Sequence, residues 1–276
     1  MARRRLLPAC VCLVFALLAP ALARADGDAA RLFAQGTKAL HDGRAADAIG
    51  AFEALADRGV VDPVASYDRG LAYAMRVRIG AEVPGDLGRA AQGFAEARDL
   101  SRDPGLVDDA SRALALVRSE VARRRTRAGE PVEVDPGRSL ARTVAGLLGE
   151  DTWSVLAAVS SALLALGLFV RWLSGAARVR VGGAIAAGVT APVLAVATTM
   201  TLAARHDRLT LREAIVVSAD ARPSDERGIT VPGATPLPEA ARVEVLDTHD
   251  AQSRVRFGKI AAWVPSADLR PLARAD

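Results

Sequence analysis

Beyond Cys12 the chain has no cysteine: its two thiols, Cys10 and Cys12, both lie in the first 25 residues. The rest can hold no disulfide, no thiolate nucleophile and no cysteine-based metal site. Lysine is reduced to Lys38 and Lys259, with arginine carrying the positive charge, a bias of base composition with no functional message. Histidine is scarce too. His41, His206 and His249 are each followed by an aspartate, but one pair falls at a helix end, one at a membrane exit and one in a hairpin turn. A metal-dependent phosphohydrolase needs several such groups converging, so these read as solvated surface pairs. There is no Gly-x-Ser-x-Gly, no phosphate-binding loop and no His-Glu-x-x-His. The expectation is a non-enzymatic protein without metal or cofactor.

What is abundant is apolar. Hydrophobic residues make up 51% of the 276 residues, and a mean hydropathy of +0.18 is high for a soluble chain. The formal charge of +4 invites a nucleic-acid reading, which fails on location. Residues 1–25 hold Arg3, Arg4, Arg5 and Arg24 and no acid; subtracting these four from 36 basic residues leaves 32, against 32 acids.

Those 25 residues read as a secretory signal. Arg3–Arg5 form the charged start, Leu6–Leu22 the apolar stretch, and Ala23-Arg24-Ala25 the small-residue approach to a cut before Asp26. An uncleaved anchor helix is the alternative. Cys10 follows Leu7-Pro8-Ala9, as in a lipoprotein box, but it precedes most of the apolar stretch, which argues against lipidation. Two further runs lack charge: Ser154–Val170, bracketed by Trp153 and Trp172, and Gly182–Ala204, with Pro192 inside. At 1.5 Å per residue both reach across about 30 Å of hydrocarbon with help from their flanks. Transmembrane helices are expected at 151–173 and 182–204. The turn at 174–181 is placed in the cytoplasm on the basic stretch Arg171–Val181. A buried hairpin in a globular core is the alternative. Export of Asp26 then puts both soluble regions in the outer compartment.

The first soluble region, 28–127, has apolar residues at helical spacing, as in Leu106, Ala110, Ala113, Leu114, Val117 and Val121. Helices are expected at 28–42, 45–58, 63–80, 86–101 and 105–127, followed by a Gly/Pro-rich tether at 128–150. Gly36…Ala48…Phe52 and Gly70, Tyr73…Ala90…Phe94…Ala97 repeat a pattern, and the resemblance is to the tetratricopeptide family. Gly36 to Ala48 has that family's spacing; Gly70 to Ala90 is eight residues longer; the family's tryptophan is absent. Arg69 falls on the face next to Gly70. A generic stack of helical hairpins is the alternative. The resemblance implies a concave groove lined by Phe33, Thr37, Leu40, His41, Tyr67, Leu71, Ala74 and Met75, suited to an apolar partner segment.

The last region, 213–272, changes period. Ala214–Val217, Arg242–Leu246, Arg254–Phe257 and Ile260–Val264 are short and β-branched or alternating, between Gly- and Pro-rich intervals. Leu237-Pro238-Glu239…Arg242–Leu246 and Ala262-Trp263-Val264 resemble a bacterial SH3-type domain, which implies a small all-β barrel. That family's mid-hairpin Asp-Trp is missing here. Trp263 reads either as a barrel-closing core residue or as a ligand platform.

Signal, tetratricopeptide-like helices, two spans and an SH3-like end, in that order, resemble the E component of the bacterial aerotolerance (Bat) operon family. The resemblance implies a scaffold in the bacterial inner membrane, with both soluble domains in the periplasm. It also implies work there beside membrane proteins bearing von Willebrand A domains, with no nucleic acid. The alternative function is peptidoglycan binding through the SH3-like domain.

Overall fold

The computed structural model describes residues 27–130, 134, 150–210 and 212–273. The expected signal at 1–25 with Cys10, Cys12 and its cut, and the tether apart from 128–130 and Val134, lie outside the described residues. The chain forms two compact units: Met1–Asp135 together with Arg212–Asp276, and Pro136–Leu211. The protein is mostly helical, with two long apolar helices and one small antiparallel sheet.

In the first unit α1 covers 27–41, followed by α2 (Ala45–Asp57), α3 (Pro63–Arg78), α4 (Asp86–Leu100) and α5 (Pro104–Arg127). These bounds lie within two residues of those expected. Asp62 and Asp103 start α3 and α5: each carboxylate accepts a backbone N–H from the first turn, Ala65 at 2.8 Å and Gly105 at 3.0 Å. Pro63 and Pro104 stand just after them, where a missing N–H costs nothing.

Helices α1–α2 and α3–α4 form two hairpins with one joint. A Cβ on Gly36 would come within 2.8 Å of the Phe52 ring, and one on Gly70 within 2.9 Å of the Phe94 ring. Phe33 meets Phe52 edge-on at 6.2 Å, and Tyr67 meets Phe94 at 5.5 Å. An aromatic and a glycine one turn apart thus receive the aromatic of the next helix in both hairpins.

Strands β1 (Arg212–Val216), β2 (Arg242–His249), β3 (Gln252–Phe257), β4 (Ile260–Pro265) and β5 (Leu269–Pro271) complete the unit, with a 3₁₀ turn at Ser266–Asp268. The sheet order is β4-β3-β2-β1-β5, antiparallel throughout. The barrel expected from the sequence is therefore not closed. β5 has only three residues, pairs with β1, and forms no ladder with β4. The edge of β4 instead meets Ser224, whose N–H donates to the Trp263 carbonyl at 2.7 Å.

β1 is buried on both faces. Ala214 and Val216 join Val243, Val255, Val264 and Leu269 in the sheet's own core, while Ile215 belongs to the helical core with Phe94 and Leu87. Two covered faces explain why Ala214-Ile215-Val216-Val217 is continuously apolar.

The second unit, as far as described, is a helical hairpin: α6 (Glu150–Leu173) and α7 (Ala177–Thr210). Windows of mean hydropathy 2.1 and 1.8 make both long and apolar enough to cross a membrane. They meet at Gly167 and Gly183, where a Cβ on Gly183 would stand 2.7 Å from the Gly167 carbonyl. Trp153 is buried, but Leu163, Leu166, Phe169, Ile185 and Val189 are all exposed. The turn is shorter than the 174–181 expected, because α7 begins at Ala177 and takes Arg178 and Arg180 into its first turns.

Candidate interaction site

Helix α4 is the element on which the first unit is organised. Eleven of its 15 residues are buried, against six of 13 in α2, because α3 and α5 cover one side and β1 the other. Gly88 makes the close approach: a Cβ there would meet Val217 Cα at 2.5 Å and the Val216 carbonyl at 2.6 Å. Its backbone N–H donates to Glu239 Oε1 at 2.7 Å. The N-cap, Gly85, has no side chain to satisfy the first turn, so the sheet region supplies the acceptor. Burial pushes the Glu239 carboxyl above its ordinary value, against the lowering effect of the Gly88 hydrogen bond.

Each polar residue buried on α4 has partners. Asp86 accepts from Arg76 Nε at 2.8 Å and from Val83 N–H at 2.9 Å. Glu96 binds Arg69 at 2.5 Å and accepts from Ser66, Gln92 and the Ala273 N–H. Gln92 also donates to the Pro271 carbonyl at 3.2 Å. At the far end Asp99 pairs with Arg242 at 2.8 Å, and Arg242 also binds Glu213. Arg69, which the sequence puts merely beside the joint, is 6% exposed, held by Glu96 and 4.0 Å from Glu53.

A cavity of about 510 Å³ opens where the α3–α4 loop, α5 and the sheet region converge. Glu82 and Arg124 form a two-pronged pair across it, at 2.6 and 3.0 Å, and Glu239, Leu87, Val121 and Ala219 line it. Arg125 lines it as well, donating to the Leu237 carbonyl at 3.1 Å.

The residues expected to line a groove fall into two sets. Phe33 and Tyr67 are joint members against Phe52 and Phe94, and Leu40, Leu71 and Ala74 pack partly on the same core. Thr37 and His41 are exposed, and Met75 is half-buried. Thr37 Oγ1 reaches Asp68 at 3.5 Å, linking α1 to α3, and burial pushes the Asp68 carboxyl up. Burial, with Asp109 second, also pushes the Tyr67 hydroxyl up.

Trp263 is half-buried on β4 and does not belong to the sheet core, which its neighbour Val264 enters. His249 and Asp250 stand 3.7 Å apart on the exposed β2–β3 turn. No group of three His, Cys, Asp or Glu residues is placed to hold a metal among the described residues.

Sequence reasoning missed Glu239, Arg69 and Glu96. For the last two a signal existed: Gln92 and Glu96 lie one turn apart in the middle of α4, among the apolar or small residues Ala90, Ala91, Gly93, Phe94, Ala95 and Ala97. For Glu239 there was none, since its partner is 151 residues away. The fold and site thus define a small helical-hairpin array fused to an antiparallel sheet, with two apolar helices inserted between them in the chain. No protein-family model, no curated protein and no solved structure matches the chain.

Proposed function

We propose that the protein is a non-enzymatic, membrane-anchored scaffold that recruits protein partners through its helical array. The observation that carries this reading is the joining of 27–130 and 212–273 into one unit, although the two apolar helices separate them in the chain. If those helices span a membrane, both segments must lie on the same side of it, as an out–in–out path requires. Reporter fusions at Gly129, Gly175 and Ala275 test the path; the expected readings are outside, inside, outside.

The repeated joint of Gly36–Phe52 and Gly70–Phe94 supports a tetratricopeptide-type array. The meander order with a 3₁₀ turn before the last strand supports an SH3-type sheet. The likeness of the whole layout to the aerotolerance E component makes membrane proteins with von Willebrand A domains the partners of choice, in the periplasm of a bacterial inner membrane. Crosslinking in native membranes followed by mass spectrometry identifies what is held. Thr37→Arg and Leu71→Gln, at the α1–α3 face, should lower recovery of the partner while Trp263→Ala leaves it intact. The reverse result moves binding to the sheet.

One observation favours a second reading, peptidoglycan binding. Trp263 stands outside the sheet core and is half-buried. Retention of the detergent-solubilised full chain on purified sacculi, lost in Trp263→Ala, would support it.

A further inference from the structure

The closed end of the apolar hairpin carries three arginines without an acid. Arg171 lies in the last turn of α6, and Arg178 and Arg180 lie in the first turns of α7. No Asp or Glu occurs between Thr152 and His206, and among the described residues none of the three arginines makes an ion pair. Two of them share a cavity of about 870 Å³ that is open on one side, most of its lining residues being exposed. Arg171, Arg180, Trp172 and Ser174 form its polar part, and Leu168 and Ile185 belong to its apolar wall; Arg178 is not part of the lining. Gly183 lets the helices close here, since a Cβ at that position would stand 3.2 Å from Arg171 Cβ. The lining is therefore amphiphilic at the scale of one headgroup and the start of its chains.

We propose that this cavity binds an anionic phospholipid, with Arg171 and Arg180 on the phosphate and the apolar wall against the upper acyl chains. The proposal rests on the membrane-spanning reading. A guanidinium stays charged at any working pH and matches phosphate with paired N–H donors. Next to lipid an uncompensated guanidinium is costly, and basic pockets between membrane helices are met by acidic headgroups. The Ser174 hydroxyl adds a donor beside the phosphate. Trp172, 84% exposed, has the amphipathic ring that settles at headgroup depth. Apolar walls favour a lipid over free phosphate, which would gain nothing from Leu168 or Ile185.

The full-length protein in detergent tests this by native mass spectrometry, with short-chain phosphatidylglycerol, phosphatidylcholine or inorganic phosphate added. One phosphatidylglycerol should be retained in preference to phosphatidylcholine, and inorganic phosphate should not displace it. Arg171→Gln and Arg180→Gln should each weaken retention by about tenfold, and Arg178→Gln, with the same loss of charge, by about twofold or less. Equal losses for all three variants would reduce the effect to surface charge and sink the site. So would absence of headgroup preference, and displacement by phosphate would make it an anion site without lipid. Alkaline carbonate washing of membranes separates the two readings. A chain that washes off overturns the membrane reading and the site with it. An integral chain that retains no phosphatidylglycerol overturns the site alone.

Discussion

Phe33, Gly36 and Phe52 in the first helical hairpin stand in the same relation as Tyr67, Gly70 and Phe94 in the second. Carrying that register outward pairs Gln35 with Arg69, Gly50 with Gln92, Ala54 with Glu96 and Ala46 with Gly88. Gln35, Gly50 and Ala46 are exposed, whereas all four counterparts in the second hairpin are buried. The joint is thus a local property of each hairpin, made by an aromatic filling the gap above a glycine. What surrounds the joint is set by the next layer. Only α4 has a sheet behind it, and its buried Asp86, Gln92 and Glu96 find their partners on the elements packed around it.

The largest effect should come from breaking that matching. Glu96→Ala leaves buried Arg69 with only Glu53, 4.0 Å away, and frees the Ala273 N–H, at a cost of about 3 kcal/mol. Ala54→Ser, at the equivalent place in α2, should change stability by about 0.5 kcal/mol or less. Thermal unfolding followed by circular dichroism compares the two, and similar shifts would dissolve the distinction between the hairpins. Next, Gly88→Ala forces a Cβ into Val217 and should cost about 1–3 kcal/mol by overpacking. Its effect should be read by faster hydrogen exchange in β1, while Ala46→Gly should cost about 1 kcal/mol, from helix propensity alone, with β1 unaffected.

A smaller effect depends on pH. The Glu239 carboxyl is raised by burial, so the folded state favours its protonated form. Its contribution is fully present below the ordinary glutamate value and is lost as pH rises through the raised one. Glu239→Gln keeps an oxygen for the Gly88 N–H and should flatten this slope, with the variant the more stable at neutral pH. An unchanged slope in urea titrations at several pH values would remove Glu239 from the account. The smallest effect should be a gain. Gly50 sits mid-helix with nothing within 4 Å of an added Cβ, so Gly50→Ala should stabilise by about 0.5–1 kcal/mol.

The helices were legible because apolar spacing is local, and the glycine–aromatic joint was legible because it recurs. The two long apolar helices were legible from length and charge alone. That the sheet stays open was not, since it depends on β5, a three-residue strand with no pattern of its own. The union of the helical and sheet regions was also hidden. Ile215 read as one member of an apolar run, and nothing local says that it faces α4 while Ala214 and Val216 face the other way. Arg69 and Glu96 looked like ordinary charged residues because burial of a pair follows from what packs over it. The residues expected to line a groove were read as one set, but Phe33 and Tyr67 serve the joints, a distinction that required the position of Phe52 and Phe94.

The order of these segments has a consequence for how the protein is made. The acceptor for the α4 start, Glu239, follows it by 151 residues, and the carbonyl that receives Gln92 follows by 179. A chain made from its N-terminus presents α4 complete, with its polar strip open, well before β1 or β5 exists. Pairings this distant in sequence form slowly. The nascent helical array therefore passes through a stage with an unfinished flank, where holdases bind and proteases cut. Arrival of the last strand ends that stage, so a chain truncated before Leu269 should be cleared by proteolysis even though every helix is present.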